Sequence, residues 1–363
     1  MRVLILSANT GAGHNSTAMA LAEQLEKMNV EYHIADTLAF ISERVSDFIS
    51  WGHSYVYRKL PKLFGWGYRF EETHPPRFIY EQLSKGAEDL HHFLEKEHFD
   101  AVICVHVFSG MMMTELGERY GNTIPFYFVA TDYTSSPGVS EMKAQKYFVP
   151  HRMLFGEFVR SGVQADRMVA TGIPVRSSFY APADKKAVRE ELSLPVDRRL
   201  VVTSFGSMGC GNLEKNVQIL LQNTWDDVCH VVLCGNNEKA YQALLPYAND
   251  RLYVISFTKE VPKYMTAADI YITKPGGLTT SEAIVKRIPM ILINAVPGCE
   301  TRNFDFLVQS GVAAGAKNWK QAAATVNQMF QKPEVIETMV KNMQAFTPDV
   351  AAEQICRQIV RGE

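Results

Sequence analysis

Two glycines at a strand-to-helix turn, with a carboxylate behind them, are the part of this sequence best suited to hold a nucleotide. An apolar run at 268–273 leads into Lys274-Pro275-Gly276-Gly277-Leu278-Thr279-Thr280-Ser281-Glu282. Lacking a Cβ, Gly276 and Gly277 let the backbone come close to an anion. The first N–H groups of the following helix point at that anion, and the helix dipole favours its charge. Glu282 falls about a turn and a half into the helix, where its carboxylate can grip a pair of hydroxyls. A second glycine turn, Gly206-Ser207-Met208-Gly209-Cys210-Gly211, offers more backbone amides to a phosphate.

The N-terminus carries a candidate base. Ser7-Ala8-Asn9-Thr10-Gly11-Ala12-Gly13-His14 passes from a strand pattern into a helix pattern. The Gly11–Gly13 spacing, with Asp36 ending the next strand, invites a dinucleotide reading and hence a nicotinamide or flavin oxidoreductase. Ser16 stands where the third glycine of that fingerprint belongs, which weakens it. The other reading lets the glycines admit a second substrate and makes His14 a general base, since an imidazole titrates near neutrality. Asp132, just past a buried strand, is a candidate to orient that histidine or touch an acceptor, and equally a loop or capping residue. Glu300 and Asn303 are spaced to share one helix face, as hydroxyl-binding groups or as an ordinary helix start. No Asp-x-Asp occurs, so no diphosphate-bridging metal of that type is expected.

Between Phe48 and Phe70 there is no Asp or Glu, while Trp51, Tyr55 and Trp66 alternate with Arg58, Lys59 and Lys62. Rings at headgroup depth and cations on anionic lipid would make this a membrane-facing surface. A solvated helix pair with a buried aromatic face is the competing reading.

These groups need a scaffold, and the apolar pattern supplies one. Buried-strand runs at 2–7, 32–35, 101–105 and 126–130 alternate with helical stretches, then resume at 199–205, 228–234, 252–256, 270–273 and 290–294. Such alternation predicts α/β folding in two doubly wound parallel sheets. The predicted domains are 1–178 and 179–345, with a helix at 346–363 returning to the first. The 363 residues suit two cores. A net charge of −2 gives no support to a nucleic-acid partner, and six scattered cysteines without a CxxC pair read as reduced core thiols. Neither a signal peptide nor a membrane-spanning run is read from the sequence.

The quoted motifs occur together, with Gly172-Ile173-Pro174-Val175-Arg176 and Pro297-Gly298-Cys299-Glu300-Thr301-Arg302-Asn303, in one known group. The chain resembles the monogalactosyl- and monoglucosyl-diacylglycerol synthases, relatives of the peptidoglycan lipid-linked N-acetylglucosamine transferase. That resemblance covers nearly the whole chain. It implies a GT-B fold of two Rossmann-like domains facing an interdomain cleft. It also implies inverting transfer of a hexose from a UDP-sugar to diacylglycerol or a glycosyl-diacylglycerol, or to another lipid acceptor such as a polyprenyl-linked sugar. His14 would be the base. Thr10, Gly13, Arg176, Ser207, Gly209, Gly276, Gly277 and Thr279 would surround the diphosphate. Glu282 would hold the ribose, Phe257 the uracil edge, and Glu300 and Asn303 the hexose. No cofactor or metal is implied, and the expected place is the cytoplasmic face of the cell membrane. Two departures stand out: Cys299 replaces a common Gln, and Thr134-Ser135-Ser136-Pro137-Gly138 replaces a segment that often reads Cys-His-Pro.

Overall fold

The computed structural model describes residues 1–8, 12–41, 77–204, 212–347 and 349–362. Their contacts divide the chain into two units. The first comprises Met1–Ser177, Val296–Arg302 and Asp349–Glu363; the second comprises Ser178–Ala295 and Asn303–Pro348. The sequence reading ran the second domain unbroken through 345, whereas the contacts group Val296–Arg302 with the first unit.

Among the described residues the first unit holds six parallel strands: β1 (Arg2–Ser7), β2 (Glu31–Asp36), β3 (Ala101–Cys104), β4 (Phe126–Val129), β5 (Lys146–Val149) and β6 (Met168–Ala170), in the order β2-β1-β3-β4-β5-β6. β1, β3 and β4 are apolar runs, buried along almost their whole length, as strands covered on both faces must be. The chain turns back on itself between β1 and β3, which is where an open parallel sheet leaves a crevice at its carboxyl edge.

The helix Ala12–Lys27 lays Ala18, Leu21, Ala22 and Leu25 on this sheet, a spacing of three and four residues that forms one apolar stripe. The last helix, Ala351–Arg361, adds Ala352, Ile355, Cys356 and Ile359 to the same core. Each of these leucines and isoleucines contributes about 1.5–3 kcal/mol on leaving water, and the alanines less. The C-terminal segment is therefore part of the first unit's core although 335 residues separate Cys356 from its contact at Leu21.

The second unit has β7 (Arg199–Ser204), β8 (Val228–Leu233), β9 (Leu252–Ile255), β10 (Ile270–Thr273), β11 (Met290–Leu292) and β12 (Ala314–Gly315), again all parallel, in the order β12-β11-β10-β7-β8-β9. Counted from its own first strand and read from the β9 side, this is 3-2-1-4-5-6, the doubly wound dinucleotide-fold order. Its switch point lies between β7 and β10, and β10 leads into the glycine turn at 274–277.

At the opposite, amino end of these strands, Asp269 ties the unit together. Its carboxylate accepts from Leu200 N at 2.8 Å and pairs with Arg189 at 2.8 Å and Lys185 at 2.9 Å. Burial works to neutralise this carboxyl, yet Lys185, the Leu200 amide and Arg189 prevail and hold it below its ordinary range. Arg189 is itself buried and donates to four carbonyl groups, so its charge depends on this cage.

Candidate active site

In the first unit, His14 sits in the first turn of the helix Ala12–Lys27, at the carboxyl end of β1. Its Nδ1 lies 3.0 Å from the carbonyl oxygen of Val105, the residue that follows β3, and 3.1 Å from Thr131 Oγ1, just past β4. Val105 is fixed in turn, its N–H donating to Leu6 O at 3.0 Å. A carbonyl can only accept, so Nδ1 carries a proton, and in the neutral form of that tautomer the lone pair is on Nε2.

His106 packs against this ring edge-to-face, with centroids 4.7 Å apart. Its own Nδ1 accepts the Phe108 N–H at 3.1 Å and caps the helix Val107–Tyr120. Asp132 is the immediate neighbour of Thr131 and half-buried. Sequence reasoning singled out Asp132 and passed over Thr131 and the Val105 carbonyl. Gly13 precedes His14 in the helix, and Arg176 is half-buried near the end of this unit. Asp36, the acid of the dinucleotide reading, accepts from Leu38 N at 3.0 Å and caps a short 3-10 turn.

The loop that carries Thr131 is held further along. Glu157, on the helix Phe155–Arg160, accepts from the Thr134 hydroxyl at 2.5 Å, from Ser135 N at 2.8 Å and from the Ser135 hydroxyl at 3.2 Å. Nothing in the local sequence marks Glu157, because its partners stand more than twenty residues away.

In the second unit, β10 leads through Lys274–Gly276 into the helix Gly277–Val285. Gly276 is the N-cap, and among the described residues no side chain caps this helix, the arrangement an anion site requires. Thr280 and Ser281 donate to the carbonyls of Gly276 and Gly277 at 2.7–3.1 Å and steady the turn. Thr279 is half-buried. Glu282 is 7% exposed, and its carboxylate lies near enough to Tyr271 to add to the rise that burial imposes on that phenol's pKa. Phe257, two residues beyond the end of β9, is 57% exposed, which suits a ring and backbone open to a base.

Asn303, on the helix Cys299–Gln309, is fully buried and its amide donates to Pro275 O at 2.9 Å. It thus braces the glycine turn. Glu300 accepts from Val296 N at 3.0 Å, a bond that orders the loop before its helix. Cys299 is half-buried, whereas Cys104, Cys229, Cys234 and Cys356 are core residues. Thr10, Ser207 and Gly209 lie outside the described residues, as do Trp51, Tyr55, Arg58, Lys59, Lys62 and Trp66. Among the described residues no helix is long and apolar enough to cross a membrane.

The two halves each match a family. The monogalactosyldiacylglycerol synthase family matches residues 14–175, beginning at His14, and glycosyl transferases group 1 matches residues 189–346, which contain the glycine turn, Glu282, Glu300 and Asn303. The chain is a glycosyltransferase. The enzyme is 25% identical to a processive diacylglycerol beta-glucosyltransferase of Staphylococcus saprophyticus, over 99% of its own length and 92% of that protein's. Its fold is that of MurG from Acinetobacter baumannii, with a TM-score of 0.65 at 15% identity and coverage of 100% and 99%. The same fold recurs in the S. aureus MnaA–UDP co-structure, with a TM-score of 0.65 at 14% identity and coverage of 99% and 96%. The glycosyltransferase therefore has the GT-B class of fold, two Rossmann-type α/β units in one chain. With glycosyltransferase families matched on both halves, the dinucleotide reading of the Gly11–Gly13 loop has no domain left to carry it.

Proposed function

We propose that this enzyme moves a hexose from a UDP-hexose to diacylglycerol, or to a glycosyl-diacylglycerol, and yields a β-linked glycolipid. The observation that carries the reading is His14, whose Nδ1 is held by a main-chain carbonyl so that Nε2 can take a proton. The acceptor oxygen attacks the anomeric carbon as the bond to UDP breaks. The diphosphate leaves with the electron pair, and the acceptor proton passes to His14 Nε2. One displacement inverts the anomeric centre.

The second unit's uncapped helix start and glycine turn suit the charge that builds on the departing diphosphate, a stabilisation of the oxyanion-hole kind. Glu282 is suited to the ribose hydroxyls. The reading calls for no metal, because backbone amides meet the leaving-group charge. A lipid acceptor requires contact with a membrane, and a UDP-sugar donor places that contact on the cytoplasmic face. The aromatic and basic stretch around Trp51, Tyr55, Arg58, Lys59, Lys62 and Trp66 supports attachment to anionic lipid.

The purified chain is to be incubated with diacylglycerol vesicles and either UDP-glucose or UDP-galactose, and the lipid product examined by NMR for anomeric configuration. A β-hexosyl-diacylglycerol is expected. An α product, or UDP binding with no transfer to any lipid, would overturn the proposal.

A further inference from the structure

The loop that brings Thr131 to His14 is tethered on both sides of Thr131. Before it, the Ala130 N–H donates to Phe148 O at 2.9 Å. Thr131 follows at once, with Oγ1 3.1 Å from His14 Nδ1. Beyond it, Glu157 Oε1 accepts from the Thr134 hydroxyl at 2.5 Å, the Ser135 N–H at 2.8 Å and the Ser135 hydroxyl at 3.2 Å. Thr134 and Ser135 are buried, so the Ser135 N–H has no water to turn to if the carboxylate is taken away.

The space beside this loop makes the second tether matter. Ser135, Ser136, Pro137 and Gly138 line a cavity of about 700 Å³, with Glu157 on the same wall. A loop that borders a cavity lacks the close packing that fixes a core residue, so hydrogen bonds must hold it there. Glu157 comes from the helix Phe155–Arg160, which follows β5, and so reaches the loop after β4 from the neighbouring strand's side. All three bonds meet at one oxygen. Arg302 stands 4.0 Å from that same oxygen, as a charge beside the clamp.

We propose that Glu157 is a positioning residue for the transfer reaction. Through Thr134 and Ser135 it keeps the Thr131 hydroxyl against His14 Nδ1, and so keeps Nε2 aimed at the acceptor proton. The inference rests on the reading of His14 as the base. With the clamp gone, the Val105 carbonyl still holds Nδ1 at 3.0 Å. The tautomer therefore survives, but the ring is left with one tether in place of two.

The test compares Glu157→Ala, Glu157→Gln and Thr131→Val with the wild type in transfer to diacylglycerol. Glu157→Ala should lower kcat about tenfold, short of the ~10²-fold that a misplacement of about 1 Å can cost, and leave UDP affinity within about twofold. Glu157→Gln keeps an oxygen at the Oε1 position and should recover most of that loss. A Gln variant as slow as the Ala variant would mean that the charge beside Arg302 matters and the clamp does not, which overturns the proposal. The Thr131→Val, Glu157→Ala double variant should be no slower than the slower single one, because both act through one contact. Losses that multiply would refute the relay. If Glu157→Ala does not fold, Thr134→Val removes one of the three donors and should give a smaller fall in kcat, again absent on the Thr131→Val background. NMR of the imidazole nitrogens separates this proposal from the reading of the base. The His14 Nδ1–H resonance should shift in Glu157→Ala and in Thr131→Val, and return in Glu157→Gln. An unmoved resonance would overturn the proposal even where His14→Ala is inactive. A moved one, with His14→Ala fully active, would sink the base and leave Glu157 as the residue that places the ring.

Discussion

The Val105 carbonyl oxygen sits 3.0 Å from His14 Nδ1, across 91 residues of sequence. This contact orients the ring and leaves Nε2 as the nitrogen that would serve as the proposed base. In many histidine bases a carboxylate does that work and also raises the ring's basicity. Here a neutral main-chain group does it, with Thr131 Oγ1 as a second neighbour at 3.1 Å. Orientation is supplied without adding a fixed negative charge at that contact.

Removing the imidazole should therefore remove chemistry and leave donor binding intact. For His14→Ala we expect kcat to fall by about 10²–10⁴, the usual range for a general base, with UDP affinity unchanged by calorimetry. Parallel losses in both would show that His14 holds the donor instead.

Glu282 is nearly buried in the helix behind the glycine turn. Glu282→Ala should weaken UDP binding by about 1–3 kcal/mol, the range for a lost charged hydrogen bond. Calorimetry with UDP and with the 2′,3′-dideoxy analogue checks the assignment. The analogue should lose little on mutation if Glu282 grips the ribose hydroxyls.

Asp269 holds Lys185, Arg189 and the Leu200 amide at the amino end of the second sheet. Asp269→Ala leaves the buried Arg189 guanidinium without its counter-charge. A loss of about 3–5 kcal/mol is expected in urea unfolding. The Arg189→Met, Asp269→Leu double variant should recover much of it, and failure to do so would mean that the charge was not the cause.

His230 lies wholly inside β8, its Nε2 2.9 Å from Thr224 Oγ1. Burial, aided by Arg251, pushes its pKa from the ordinary imidazole value down to about 3. The unfolded chain then binds a proton that the folded chain refuses. The stabilisation is complete above about pH 6.5 and drains away as pH falls towards the folded value, by at most about 1.4 kcal/mol per pH unit. Urea midpoints between pH 7 and 5 should show this slope, and His230→Phe should flatten it. An unaltered slope would assign the acid sensitivity to other groups.

Arg58, Lys59 and Lys62 lie outside the described residues, yet their setting among Trp51, Tyr55 and Trp66 gives an expectation of its own. Neutralising the three should cost about 1 kcal/mol each in binding to vesicles rich in anionic lipid, and little on zwitterionic ones. Sedimentation with both vesicle types checks it, and equal retention by wild type and variant would leave only a solvated surface.

The sequence by itself determined whatever depends on neighbours along the chain. Apolar runs and helical stripes marked β1–β4 and β7–β11 to within a residue or two, and Gly276-Gly277 announced a helix start open to an anion. The strands β5, β6 and β12 escaped notice, and β12 has only two residues, too few to establish a period. Tertiary structure alone decided the strand order, and with it the surroundings of His14. Any residue owns a carbonyl, so no pattern distinguishes Val105 as the partner of His14. Thr131 stands 117 residues from His14, and Glu157 22 from the Ser135 amide it clamps. Such contacts arise only when strands β1, β3, β4 and β5 line up side by side and bring their carboxyl ends to one edge. Periodicity reports which face of an element is buried, but it carries no record of which element lies next to it.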